Sequence, residues 1–203
     1  MHRPLVTLSG DRLTPDEYFA DYDRNFWHTD NTGCWKLERQ QHFVENGNAS
    51  WDAFDAGDWP KALRLMEERR HALADYEKRI AGHGFEVRRI RIVEEPISPY
   101  LIWELNSLYV RHQVGGKIRV VDGGAVADLE RDEVLPELFI LGKKVIYQVL
   151  YTESGELEGA IRSDAPDLIH RWRATAGRLY DEGEDLGGYF ARKVAGRQPH
   201  SAW

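Results

Sequence analysis

Three runs rich in branched and aromatic residues, 138–141, 144–151 and 156–162, are separated only by Gly142-Lys143 and by a turn at Glu153-Ser154-Gly155. Connections this short let a chain double back but not cross over, because parallel neighbours need a dozen or more residues between them. The spacing therefore predicts an antiparallel meander, and a meander needs a cover for its apolar face. A cover follows directly. Leu168, Ile169, Trp172, Ala176, Leu179 and Tyr180 form the stripe of a long helix that Asp164 is expected to cap.

Upstream, proline and capping residues mark three further helix starts. Thr14-Pro15-Asp16-Glu17 reads as a capping box opening a helix to about Asn25, with Tyr18, Phe19 and Tyr22 on one face. Asp58 and Pro60 open what reads as the longest helix, apolar at Ala62, Met66, Leu73, Tyr76 and Ile80 and ended by Gly82 and Gly84. Ser98-Pro99 opens another, carrying Tyr100, Leu101, Trp103, Leu105 and Leu108 and stopping near Gly115-Gly116. Between these helices, 34–43, 85–93 and 117–121 read as strands, the first with Trp35, Leu37 and Phe43 on its one buried face. The expected fold class is α+β, a mostly antiparallel sheet covered by helices. It divides into an N-terminal helical extension (1–25), a single α+β domain (26–190) and a mobile basic tail (191–203).

Charge excludes more than it assigns. With 27 Lys plus Arg against 34 Asp plus Glu the formal net charge is −7, so no overall basic field attracts duplex DNA or an anionic membrane. No apolar run approaches the roughly 20 residues of a membrane helix. The start has no apolar stretch of signal-peptide length, and Cys34 alone forms no internal disulfide, so a cytoplasmic protein is expected.

A phosphate-binding loop, a dinucleotide glycine pattern, a nucleophile elbow and a paired-cysteine metal site are all missing from the chain. The eight histidines have no spacing that places two imidazoles on one helix face. No cofactor and no metal is therefore expected. Cys34 reads as a small apolar core residue. Arg88-Arg89-Ile90-Arg91 puts Arg89 and Arg91 on one strand face, where two guanidiniums either hold an anion by forked hydrogen bonds or pair with acids such as Glu38 or Glu86. Seven tryptophans invite a pocket reading, with Trp35, Trp103 and Trp172 as walls and Arg91, Glu104 and Arg119 as polar groups; core packing alone also accounts for them.

Several segments together resemble the actinobacterial domain-of-unknown-function family 6879, whose members are often encoded beside small helix-turn-helix regulators. Trp35-Lys36-Leu37-Glu38 is similar to the family's aromatic-Arg-Leu-Glu strand, with Lys36 where Arg is usual. Phe54-Asp55-Ala56-Gly57 resembles the short segment that follows it, and Gly115 to Val120 a later strand. The closest correspondence runs from Arg91 through Pro96 to Tyr100-Leu101-Ile102-Trp103-Glu104-Leu105, similar to the family's strand, Pro turn and Tyr-Leu-x-Trp-Glu helix. The resemblance covers most of 26–190. It implies an α+β fold, a bacterial cytoplasmic setting and a helix-turn-helix regulator as a partner, and it supplies no active site.

Two functional classes follow. The leading expectation is a regulatory or ligand-sensing accessory protein that binds a small anionic molecule or a protein partner, with Arg91, Trp103, Glu104 and Arg119 as ligand-binding residues. The alternative is a small metal-independent enzyme of specialised metabolism, with Glu38 or Glu104 as general base and Arg91 stabilising negative charge, which requires these groups to meet in a concave site. A third reading, single-stranded nucleic-acid binding, rests on a local basic patch at Arg88, Arg89 and Arg91.

Overall fold

The computed structural model describes residues 8–199. Its centre is one mixed eight-stranded sheet of order β1-β7-β6-β5-β2-β3-β4-β8. The expected meander forms one half, as β5 (Glu137–Leu141), β6 (Val145–Tyr151) and β7 (Leu157–Ser163), with β1 (Asp11–Leu13) antiparallel on the edge of β7. The other half is parallel: β2 (Cys34–Glu38), β3 (Val87–Val93) and β4 (Lys117–Asp122) lie side by side in one direction. An antiparallel β2–β5 pairing joins the halves, and β8 (Glu184–Asp185) closes the far edge on β4. The α+β class and the predominance of antiparallel pairing match the sequence; the parallel trio is new.

Parallel neighbours need crossovers, and helices supply them. Between β2 and β3 run α2 (Ala49–Asp55), α3 (Trp59–Glu68) and α4 (Arg70–Gly82); between β3 and β4 runs α5 (Pro99–Gln113). Covered on both faces, β2 is shorter than the one-faced 34–43 strand expected, and both its faces are buried. The long helix expected after Asp58 breaks at Arg69, whose N–H bonds back to Met66 and so tightens the turn. Its two halves serve different cores: Met66 packs with α5, and Ile80 packs with Phe26 and Phe85. No glycine or proline marks that break.

One face of the sheet is covered by α6 (Pro166–Glu182), whose Ile169, Trp172, Ala176 and Leu179 pack on Leu37, Ile90, Ile92, Leu138 and Ile140. Asp164 does not cap this helix. Its carboxylate lies 3.3 Å from Arg162, and Pro166 starts the helix after Ala165. The opposite face carries two apolar clusters. Over the meander lies α1 (Pro15–Phe26), whose predicted capping box is present: the Glu17 N–H donates to Thr14 Oγ1 at 3.4 Å and the Thr14 N–H to Glu17 Oε2 at 2.9 Å. Tyr18 and Tyr22 pack against Tyr147, while Phe19 stays 53 % exposed. Over β3 and β4 lie α2, α3, α5 and α7 (Leu186–Lys193), which bury Val93, Ile118 and Val120. Of the expected extension, residues 1–7 lie outside the described residues and 8–25 contribute a sheet strand and a packed helix, while α7 carries the chain past 191 to a buried Val194. The last part of the expected tail, 200–203, lies outside the described residues.

Arg173 on α6 ties the halves together: its Nη1 donates to the carbonyls of Gly33 (3.0 Å) and Gly142 (2.7 Å), its Nη2 to that of Thr32 (2.9 Å). Hydrogen bonds to a charged group contribute about 1.5–3 kcal/mol. We expect Arg173→Ala to lower unfolding free energy by about 2 kcal/mol in urea titration; an unchanged midpoint would show that the clamp adds nothing.

Candidate functional site

Strand alternation decides which charges meet. Lys36 and Glu38 share one face of β2, and the β2–β3 register sets Lys36 beside Arg89 and Glu38 beside Arg91 on that face. Leu37, Ile90 and Ile92 point the other way, under α6. Four charges therefore occupy the sheet on the helix side, in the seam between the cluster under α1 and the cluster under α5. Glu104 descends onto them from α5, placed between the buried Trp103 and Leu105.

The resulting network is tight. Arg91, fully buried, donates from Nε to Glu104 Oε2 at 2.7 Å and from Nη1 to the carbonyls of Glu38 (3.3 Å) and Ile92 (3.2 Å). Glu38 takes Lys36 Nζ at 2.5 Å and Arg89 Nη1 at 3.2 Å. Burial works to raise the Glu38 carboxyl, but Arg89, Lys36 and Arg91 together hold it down at about 2. Burial pushes the Glu104 carboxyl up while Arg91 pulls against it. A guanidinium does not shed its proton, and a lone buried charge is expensive, so Arg91 and Glu104 remain an ion pair. One buried donor of this network, Arg91 Nη2, has no hydrogen-bond partner, while Glu38 Oε2 is met by the Arg89 ion pair alone.

Beside the network opens a cavity of about 230 Å³. Its sheet wall is Lys36, Glu38 and Arg89; α5 contributes Trp103, Glu104, Ser107 and Arg111, and the α3–α4 junction contributes Arg69. Glu45, from the segment leading into α2, accepts from the Tyr100 hydroxyl at 3.0 Å and also lines the space. Trp103 is held as a wall by its Nε1–H, which donates to Ser50 Oγ at 3.1 Å.

Of the residues singled out by sequence, Arg91, Trp103, Glu104 and Glu38 come together. Arg119 does not. On β4 it alternates with Ile118 and Val120, so it emerges on the α6 face, where its Nη1 donates to the Gly183 carbonyl at 3.0 Å and its guanidinium lies 5.0 Å from the Tyr180 ring. Trp35 and Trp172 belong to the same α6-side cluster and line no part of the cavity. Pairing with Glu38 and Glu86 describes Arg89 and Arg88 respectively; with Arg91 buried, Arg88, Arg89 and Arg91 form no exposed basic patch. Cys34 is buried, its thiol pushed up to about 11 by burial. The acidic 128–137 segment packs Leu129 and Leu135 into the α6-side cluster, with Glu130 bound to Arg39 at 2.6 Å. Sequence reasoning missed Arg69, Glu45, Ser107 and Arg111. For the last two a signal existed: with Trp103 and Glu104 they recur at helical spacing and interrupt an apolar helix with polar side chains.

Among the described residues no group of three or more His, Cys, Asp or Glu is arranged to hold a metal, and no helix is long and apolar enough to cross a membrane. Fold and site define an α+β protein with a half-parallel sheet and a charged cavity between that sheet and its crossover helices. The chain belongs to the family described as Domain of unknown function (DUF6879), whose model matches residues 20–191, from within α1 into α7. None of the curated proteins matches it.

Two outcomes test this network. Removing one partner of a buried pair strands the other, so Glu104→Gln is expected to cost about 3–5 kcal/mol by chemical denaturation; a loss under about 1 kcal/mol would mean Arg91 needs no counter-charge. Glu137, next to Glu38 in the sheet, is raised by burial from 4.5 to about 7. A raised carboxyl stabilises the fold fully below its unfolded pKa, and that contribution is lost as pH rises through the folded value. Glu137→Gln should therefore flatten the fall in Tm between about pH 5 and pH 8. Parallel profiles for the two proteins would contradict this assignment.

Proposed function

We propose that this protein is a ligand-sensing accessory protein whose cavity takes a small molecule bearing an anionic group. The observation that carries the reading is Arg69. It lines the cavity, yet makes no ion pair among the described residues, while Lys36, Arg89 and Arg111 beside it are each matched to a carboxylate. A guanidinium free at the mouth of a site walled by an indole is suited to forked recognition of a carboxylate or phosphate. The unmet Nη2 of Arg91 adds polar capacity in the same network.

A protein partner docked through apolar surface has less support. Among the described residues the exposed large hydrophobic side chains are Phe19, on the α1 face, and Val134, in the acidic loop on the α6 side, and these do not share a patch. The enzyme reading gains the concave meeting of Glu38, Glu104 and Arg91 that it required. Against it, a carboxyl held at about 2 is a weak general base near neutrality, and Glu104 is engaged by Arg91.

A thermal-shift screen of the full chain against carboxylates, phosphates and nucleotides, followed by calorimetry, tests the reading, since a ligand of the folded state raises its stability by mass action. Arg69→Ala, an exposed position, should leave the unliganded Tm unchanged and weaken the anion about tenfold, the worth of one charge-assisted hydrogen bond. Anion binding indifferent to Arg69→Ala would place the ligand elsewhere.

A further inference from the structure

The cavity is not evenly charged along its length, and the direction of its elements shows how. Strands β3 and β4 are parallel and joined by α5, so α5 runs opposite to β3. Arg91 meets Glu104; two residues earlier on β3, Arg89 and its neighbour Lys36 lie toward the later turns of α5, where Ser107 and Arg111 follow. The α3–α4 junction reaches that same end. Arg70 Nη2 donates to Gln113 at 2.7 Å and Arg111 Nε to Glu77 at 2.7 Å, which fixes the adjacent Arg69 there. At this end Lys36, Arg69, Arg89 and Arg111 outnumber the acids Glu38 and Glu77.

The other end has the opposite sign. Glu45 is bound to Tyr100, one turn before Glu104, and the guanidinium nearby, Arg91, is committed to Glu104. Glu45 makes no ion pair among the described residues, and the Tyr100 hydroxyl contacts just one of its oxygens. From Tyr100, which holds Glu45, to Arg111 is eleven residues, about 16 Å of helix, part of which the long side chains of Glu45 and Arg111 span. Glu38 lies on the sheet wall at the basic end, its two oxygens taken by Lys36 and Arg89.

We infer that the ligand of this cavity is a small zwitterion, with its carboxylate or phosphate at Arg69 and Arg111 and its ammonium or guanidinium group at Glu45. This rests on the reading of the cavity as an anion-binding site and adds the second charge. A simple anion leaves the Glu45 end unmatched, whereas a molecule with both charges satisfies each end. The spacing favours a chain that separates the charges over a compact α-amino acid.

Three probes on the full chain separate the outcomes by calorimetry: ε-aminohexanoate, which holds an ammonium and a carboxylate apart on five methylenes, hexanoate with the anion alone, and pentylamine with the cation alone. The expected result is binding of ε-aminohexanoate at least about tenfold tighter than of either single-charge probe. Glu45→Gln, which keeps an acceptor for Tyr100, should reduce ε-aminohexanoate to the affinity of hexanoate and leave hexanoate unchanged. Hexanoate bound as tightly as ε-aminohexanoate, and weakened by Arg69→Ala, would overturn the zwitterion while leaving the anion site standing. No binding of any probe at millimolar concentration would overturn the zwitterion, and if the anion screen is also negative, the anion site falls with it.

Discussion

A fully buried guanidinium must be answered, and in this protein the answer is Glu104 at 2.7 Å. The pair bridges the central parallel strand to its own crossover helix. Because two charges removed from water recover their solvation only through close, complete pairing, the requirement fixes the height and rotation of α5 over the sheet. Trp103 and Ser107, neighbours of Glu104 on that helix, then face the same space. Alternation on β2 and β3 adds Lys36, Glu38 and Arg89 to the floor. The polar seam keeps the two apolar clusters on this face from merging, and a cavity lies beside it.

The two halves of the sheet divide the work. The antiparallel half, under α1 and α6, is built from local hairpins and supplies a closed apolar body. The parallel half is assembled over long sequence separations by crossovers, and it presents charged residues near the β2–β3 centre to helices that arrive from three different segments. The same face thus holds a dry cluster at each side and ionised groups in the middle. Charged groups are retained inside proteins against their desolvation cost for specificity or for use. Here Arg69 and Glu45, free of ion pairs among the described residues at opposite ends, point to use.

Legibility in the sequence follows the range of the interaction. Hairpins at Gly142 and Gly155, the Thr14 capping box and the Ser98-Pro99 helix start were readable because each is decided within a few residues. The parallel β2–β3–β4 trio was not, since pairing across the α2–α4 crossover leaves no local mark. Nor was the break at Arg69, which tertiary packing imposes on a sequence periodic straight through it. Arg91 and Glu104 were each legible as polar candidates, but their pairing was not, since sequence offers Glu38 or Glu86 as the acids beside the strand arginines. That Arg119 lies on the opposite face from Arg91 was not legible, because strand parity assigns a side chain to a face but not to the helix covering that face.

The most direct measurement of the central claim is a double-mutant cycle on Arg91 and Glu104, using Arg91→Met, Glu104→Leu and their combination in urea unfolding. If the pair organises the seam, each single substitution is strongly destabilising and the double variant recovers most of the loss, giving a coupling of about 2–3 kcal/mol or more. Additive losses would contradict it, showing that Arg91 and Glu104 are held by the surrounding packing and not by each other.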